Sequence, residues 1–344
     1  MPGPLKLANL WRIIRDVDLA GVRAAAHARF ALVIVSETGA DAARLRELLS
    51  GTAGSTDAPH PWIEVAAATP EALAATTTAP LIGIVVTREA RLSLAMESAV
   101  QRFAAARVPT LIVVVGDTTP KAGVVRSGER ARSVIASLDP AALDAIGPVI
   151  ADLAGDDPQL ALAAQLPPLR GAVFSRIIDR TARANAGFAF TTGLAETVPI
   201  LSAPLNLGDI VVLTKNQVMM CYRIALAGGR QGEPTELIGE ILGVLGGGLL
   251  FRQAARELVG LIPFVGLLPK VAIAYAGTHA IGRAMVAWIT EGRRVTSEVV
   301  ARYSRESLEK GRALAERMVG DRPPVVGSRL ERFRQYLPLP RKRV

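Results

Sequence analysis

Residues 30–51 read FALVIVSETGADAARLRELLSG, and the reading of this stretch decides the fold of the amino-terminal half. Residues 30–35 are a short unbroken apolar run, the mark of a parallel strand covered on both faces. A tight polar segment follows, and residues 41–49 then take up helical spacing. Similar apolar runs recur at 62–67, 81–87 and 110–115, with a weaker one at 133–137. Helical stretches at 70–77, 91–107 and 140–154 alternate with them. This alternation predicts an α/β domain over 30–154, built on a doubly wound, mostly parallel sheet.

A strand, a tight loop and a helix are also the setting of a Walker A motif. That motif needs glycine, four residues, then glycine, lysine and a hydroxyl, so that backbone amides, an ammonium and Mg²⁺ surround phosphate. Here Ser36 stands in the first glycine position and Gly39 falls within the spacer. Asp41, Ala42 and Ala43 replace the second glycine, the lysine and the hydroxyl. A carboxylate at that point repels phosphate. The strand at 62–67 leads into residues that lack a Mg²⁺-linked aspartate, and Gly116-Asp117-Thr118-Thr119 stands where a guanine-reading Asn-Lys-x-Asp would be. In element order this half resembles an Era-like GTPase domain without its chemistry. A small flavodoxin-like or Rossmann-like sheet is the alternative. The single cysteine, Cys221, and three scattered histidines offer no ligand set, so neither metal nor cofactor is expected.

Around this domain the chain divides further. Residues 1–29 carry Leu7, Leu10, Trp11, Ile14, Val17 and Val22 at helical spacing, which predicts an amphipathic helix over 5–26. It reads either as a helix packed on its neighbour or as an interfacial anchor. Residues 155–183 are a junction and linking helix, punctuated by GDDP and LPPL, with a helix expected from 171 to 184. Residues 184–320 read as helical throughout, and 321–344 as a Pro- and Arg-rich tail. Net charge is −5 over 30–160 but +11 over 161–344, and the basic half is also the more apolar. With 15 aromatic residues in 344, that combination favours an anionic membrane surface over nucleic acid.

Three stretches of the carboxyl half carry recognisable motifs: Asp209 before Thr214, Asn216 and Gln217; Pro263 with Gly266; and Thr278 with Gly282 and Arg283. Met219, Met220 and Gly228 lie between the first and second. Occurring in this order over about 184–300, they resemble the YcjF-type domain of unknown function, with Gly277 a small-residue departure. The resemblance implies membrane association and an Era-like GTPase domain in front; it implies no activity. Thr214 with Gln217 also reads as a capping box opening a helix.

Gly239, Gly243 and Gly247 recur every fourth residue, as do Ala272, Ala276, Ala280 and Ala284. Such stripes let helix backbones approach closely, in soluble bundles as in membranes. Two imperfect apolar stretches, 186–204 and 258–282, can span a bilayer, dip into it or form a buried hairpin. Candidate lipid contacts are Leu267, Leu268 and the terminal Arg341-Lys342-Arg343. The expected protein is non-catalytic and binds a membrane surface, an unknown protein partner or a second copy of itself. Its expected location is the cytoplasmic face of the inner membrane, peripheral or partly inserted, with the cytoplasm as alternative. An enzyme with an unorthodox site on the α/β domain and a soluble helical scaffold are the competing readings.

Overall fold

The apolar runs form strands where they were expected; those at 32–36, 82–87 and 110–115 are buried on both faces over most of their length, and the two edge strands are partly exposed. In the computed structural model, which describes residues 17–51, 60–69, 72, 80–89, 91–116, 131–196, 205–244 and 267–320, five strands make one sheet. They are β1 (Leu32–Ser36), β2 (Ile63–Ala66), β3 (Ile82–Thr87), β4 (Thr110–Val115) and β5 (Ala131–Ala136). All neighbours pair in parallel, in the order β2-β1-β3-β4-β5. This is a doubly wound parallel order, as expected of an α/β domain.

Helices cover both faces. Before the sheet lies α1 (Leu19–Ala26); within it come α2 (Gly39–Ser50), α3 (Leu94–Ala105) and α4 (Ala142–Ala154). Ile34, Ile84 and Leu111 face a core shared with α2 and α4, while Val33, Val85 and Ile112 face Met96 and Phe103 of α3. Gly83 on β3 is required by that second face, since an added Cβ would lie 2.5 Å from the Phe103 ring. The helix expected at 70–77 lies outside the described residues except for Ala72.

Residues 1–16, with Leu7, Leu10, Trp11 and Ile14, lie outside the described residues. The described helix α1 begins at Leu19, where the Asp18 carboxylate accepts from the Gly21 amide at 2.8 Å and caps it. It packs on the helical half, where Tyr222 donates to the Leu19 carbonyl and Arg23 pairs with Glu233. The 155–183 junction carries more than the linking helix expected there. It holds α5 (Pro158–Gln165), whose Leu160 and Ala163 enter the helical core while Ala161 and Leu162 enter the sheet core. One short helix therefore belongs to two cores.

The carboxyl half is a bundle of α6 (Arg170–Glu196), α7 (Leu205–Ala227), α8 (Pro234–Val244), α9 (Leu267–Glu291) and α10 (Ser297–Gly320). Asn185 meets Asn216 across α6 and α7, so these helices run antiparallel. Thr278 meets Asn185, and Gly282 lies against Ile178, so α6 and α9 do as well. α9 and α10 are antiparallel too, with Ala272 against Gly311 and Arg283 against Glu306. Thr214 sits inside α7, so no capping box opens a helix there. The helix begins nine residues earlier, at Leu205.

The small-residue stripes behave differently from each other. Ala272, Ala276, Ala280 and Ala284 are all buried, and the close approach is made by Gly311, where a Cβ would lie 2.7 Å from the Ala272 carbonyl oxygen. Gly239 and Gly243 are exposed on α8, with no described atom within 4 Å of where a Cβ would stand, and Gly247 lies outside the described residues. The expected glycine contact is therefore not made among the described residues; the alanine stripe is the contact. Accordingly, Gly311→Ala lowers stability by about 1–3 kcal/mol by forcing α9 and α10 apart. Gly239→Ala raises it by up to about 1 kcal/mol through helix propensity. Denaturant unfolding of the two variants checks the pair, and equal effects would show that Gly311 is not the point of closest approach.

Candidate functional site

In a doubly wound sheet, ligands bind outside the carboxyl ends of the strands where the order reverses. Here that place lies between β1 and β3, beyond Ser36 and Thr87. The β1–α2 connection is only Glu37-Thr38, and α2 starts at Gly39. The helix thus begins before the positions of a Walker A glycine and lysine, and no amide-lined loop is left to wrap a phosphate. The order strand, loop, helix is present; a phosphate loop is not.

The crevice is instead filled from within. Asp41 is 5% exposed on the first turn of α2. Arg88, just past β3, donates to both of its carboxylate oxygens at 2.7 Å, and the Thr38 hydroxyl donates at 2.7 Å. An anion does occupy the helix start, but it is the chain's own carboxylate. The Arg88 guanidinium and the Thr38 hydroxyl hold the Asp41 carboxyl below its ordinary value, against burial, which acts the other way. Ala42 is buried in the sheet core, Ala43 is half-buried, and neither brings chemistry. Gly39 has open space around it and Ser36 ends β1, its hydroxyl accepting from the Thr38 amide.

The motif residues of the carboxyl half converge elsewhere. Thr278 is fully buried in α9 and its hydroxyl donates to the Ala274 carbonyl at 2.8 Å. The same oxygen accepts from Asn185 at 2.9 Å and from Gln217 at 3.0 Å, while Asn216 donates to Asn185 at 2.8 Å. Both lone pairs and the proton of one hydroxyl are used, so the network ties α6, α7 and α9 together. The sequence pointed to Asn216, Gln217 and Thr278 but not to Asn185, whose only signal is an amide among the small residues of α6. Gly282 admits Ile178, and Arg283 pairs with Glu306 at 2.6 Å over the Tyr303 ring. Asp209 falls near the start of α7, and Leu267 and Leu268 begin α9. Pro263, Gly266, Arg341, Lys342 and Arg343 lie outside the described residues.

A second cluster was not legible at all. The His279 Nδ1 and the Ser307 hydroxyl are 2.8 Å apart, and its Nε2 is 3.6 Å from Asp179, which also accepts from the Tyr275 hydroxyl at 3.2 Å. Burial lowers the His279 pKa, and burial beside Asp179 pushes the Tyr275 phenol up to about 12. The residue types are those of a nucleophilic triad, but Ser307 is 1% exposed and cannot meet a substrate carbonyl. Burial also pushes the Cys221 thiol up to about 12, which leaves it inert. Among the described residues no group of His, Cys, Asp and Glu could hold a metal.

The bundle's antiparallel register brings four helix ends to one pole: the carboxyl ends of α6 and α10 and the amino ends of α7 and α9. Phe190, Val271 and Met318 pack together near it. Three chain segments attach there: 197–204, the residues leading into Leu267, and the basic tail after Gly320. Among the described residues, no helix is long and apolar enough to cross a membrane.

No family model, curated protein or solved structure matches this chain.

Two expectations follow from these sites. Thr278→Val strands the Asn185 and Gln217 donors in the bundle, costing roughly 1–3 kcal/mol for each stranded group, whereas Thr278→Ser keeps the hydroxyl and most of the stability. Urea unfolding separates them, and equal losses would show that packing alone holds the helices. Asp41 has its folded pKa lowered from 3.8, so its contribution is complete above that value and lost as pH falls through the folded pKa. Asp41→Asn should flatten the fall of the unfolding midpoint below about pH 4. A parallel fall in both proteins would remove Asp41 from the acid transition.

Proposed function

We propose that this chain is a non-catalytic, membrane-associated binding protein. Its helical half reads as a YcjF-type domain, and its α/β half as a degenerate relative of Era-like GTPase domains kept for binding. The observation that carries the membrane reading is the shared pole. The chain enters or leaves the described bundle there through the two imperfect apolar stretches and the segment holding Arg341-Lys342-Arg343. A basic segment and apolar segments joined to the bundle give attachment by two signals, electrostatic attraction and shallow insertion, without a span. The ion pair at the switch point supports the non-catalytic part, because Asp41 and Arg88 satisfy each other where a phosphate would have to bind.

Flotation with phosphatidylglycerol-containing and with neutral vesicles tests this. The whole chain co-floats with the anionic vesicles, and part of the binding resists high salt. Charge alone would not resist, since exposed attraction is screened over about 10 Å at ~0.1 M salt. Deleting 322–344 removes the salt-sensitive part, and Leu267→Asp with Leu268→Asp removes the resistant part, with circular dichroism confirming the fold. The same preparation shows no micromolar binding of Mg²⁺ with GTP or ATP in calorimetry. Failure of the intact chain to co-float with anionic vesicles sinks the membrane reading and leaves the soluble helical scaffold. Micromolar nucleotide binding sinks the non-catalytic one.

A further inference from the structure

The two halves meet along a groove of about 650 Å³ between β5, α4 and α6. Its polar lining is Arg132 from β5, Asp152 from α4, and Ser175, Arg176, Asp179, Arg180 and Arg183 from α6. Pro148, Val149 and Ala172 form an apolar floor. Arg176, Arg180 and Arg183 recur at i, i+4 and i+7, so they share one face of α6 over about 10 Å of helix.

The charges are not balanced. Asp152 takes Arg132 and Arg176, the latter at 3.3 Å; just beyond the lining, Asp156 takes Arg176 at 3.0 Å and Arg180. Asp179 is turned to Tyr275 and His279. Arg183 forms no ion pair among the described residues and is exposed. Four guanidiniums thus line the groove, while Asp152 and Asp156 answer only three of them and Asp179 is engaged elsewhere; a guanidinium has five N–H donors, more than these ion pairs use. A stable ion-pair staple between sheet and bundle needs only Arg132, Asp152, Arg176 and Asp156. Among the described residues, Arg183 and the outward donors of Arg132 and Arg180 add no ion pair to that staple.

We propose that this groove binds a small organic molecule bearing two or more phosphoryl groups, with the arginines on the phosphates and the apolar floor under the organic part. Planar guanidinium forks match phosphate oxygens in pairs, and their spread along α6 exceeds what one phosphate spans. The groove lies some 13 residues before the pole end of α6, about 20 Å away. That places it off a membrane docked at the pole, so the ligand is a free phosphate compound rather than a lipid headgroup. The choice of a free ligand rests on that membrane reading; the groove itself is separate from the β1–β3 crevice.

Calorimetry of the whole chain with inorganic pyrophosphate, at fixed ionic strength, is the test. Saturable one-to-one binding is expected, with inorganic phosphate weaker. Arg183→Ala, which breaks no ion pair, weakens pyrophosphate binding about tenfold. Ser175→Glu, a carboxylate placed in the groove from an exposed position, abolishes it. Arg317→Ala on α10, outside the groove, leaves it unchanged. No saturable heat, or equal weakening by Arg317→Ala, overturns the proposal. So does an Arg183→Ala variant that loses phosphatidylglycerol vesicle binding while the wild type ignores pyrophosphate, since the groove would then be reading lipid.

Discussion

A single hydroxyl in the bundle, that of Thr278, sets much of what surrounds it. A polar group taken out of water must find partners inside, and the requirement is strictest for an amide such as that of Asn185, which is fully buried. Thr278 supplies the acceptor for two amides and passes its own proton to a backbone carbonyl. Sliding α6, α7 or α9 by one residue would leave at least one of these groups unpaired. The network therefore fixes helix register where the flanking alanine and isoleucine contacts would tolerate several. From that register come the gathering of four helix ends at one pole and the seating of Ile178 in the notch of Gly282.

The α/β half follows the same rule at a different place. The amino end of α2 attracts negative charge, and a sheet of this order leaves a crevice beside it. With only two residues between β1 and α2, the chain cannot build a phosphate cradle there. Asp41 supplies the negative charge, and Arg88 closes over it with two parallel hydrogen bonds. The carboxylate at this helix start is satisfied by the Arg88 and Thr38 side chains, and Arg88 is committed to it.

Between the halves, α5 faces two cores at once, and the Arg132–Asp152–Arg176–Asp156 staple runs alongside it. The interface is more than a linker. The same strip of α6 buries Val173 and Ile177 inward while presenting Arg176, Arg180 and Arg183 outward. The helix that anchors the bundle to the sheet thus also builds the most arginine-rich groove among those described.

By itself the sequence determined the class of each half. Apolar runs give parallel strands wherever helices alternate with them, so β1 to β5 were legible to within two residues, and the absence of a Walker A lysine and hydroxyl at Ala42 and Ala43 was plain. It also marked Asn216, Gln217 and Thr278 as a group. What it could not carry was any pairing between distant positions. Arg88 answers Asp41 from 47 residues away, Asn185 answers Thr278 from 93, and Gly311, not the glycine stripe at Gly239 and Gly243, answers Ala272. Periodicity reports which face of an element is apolar, but not which neighbour that face meets. Only the tertiary structure, by bringing helix faces into register under the demand that buried donors find acceptors, decided those partners.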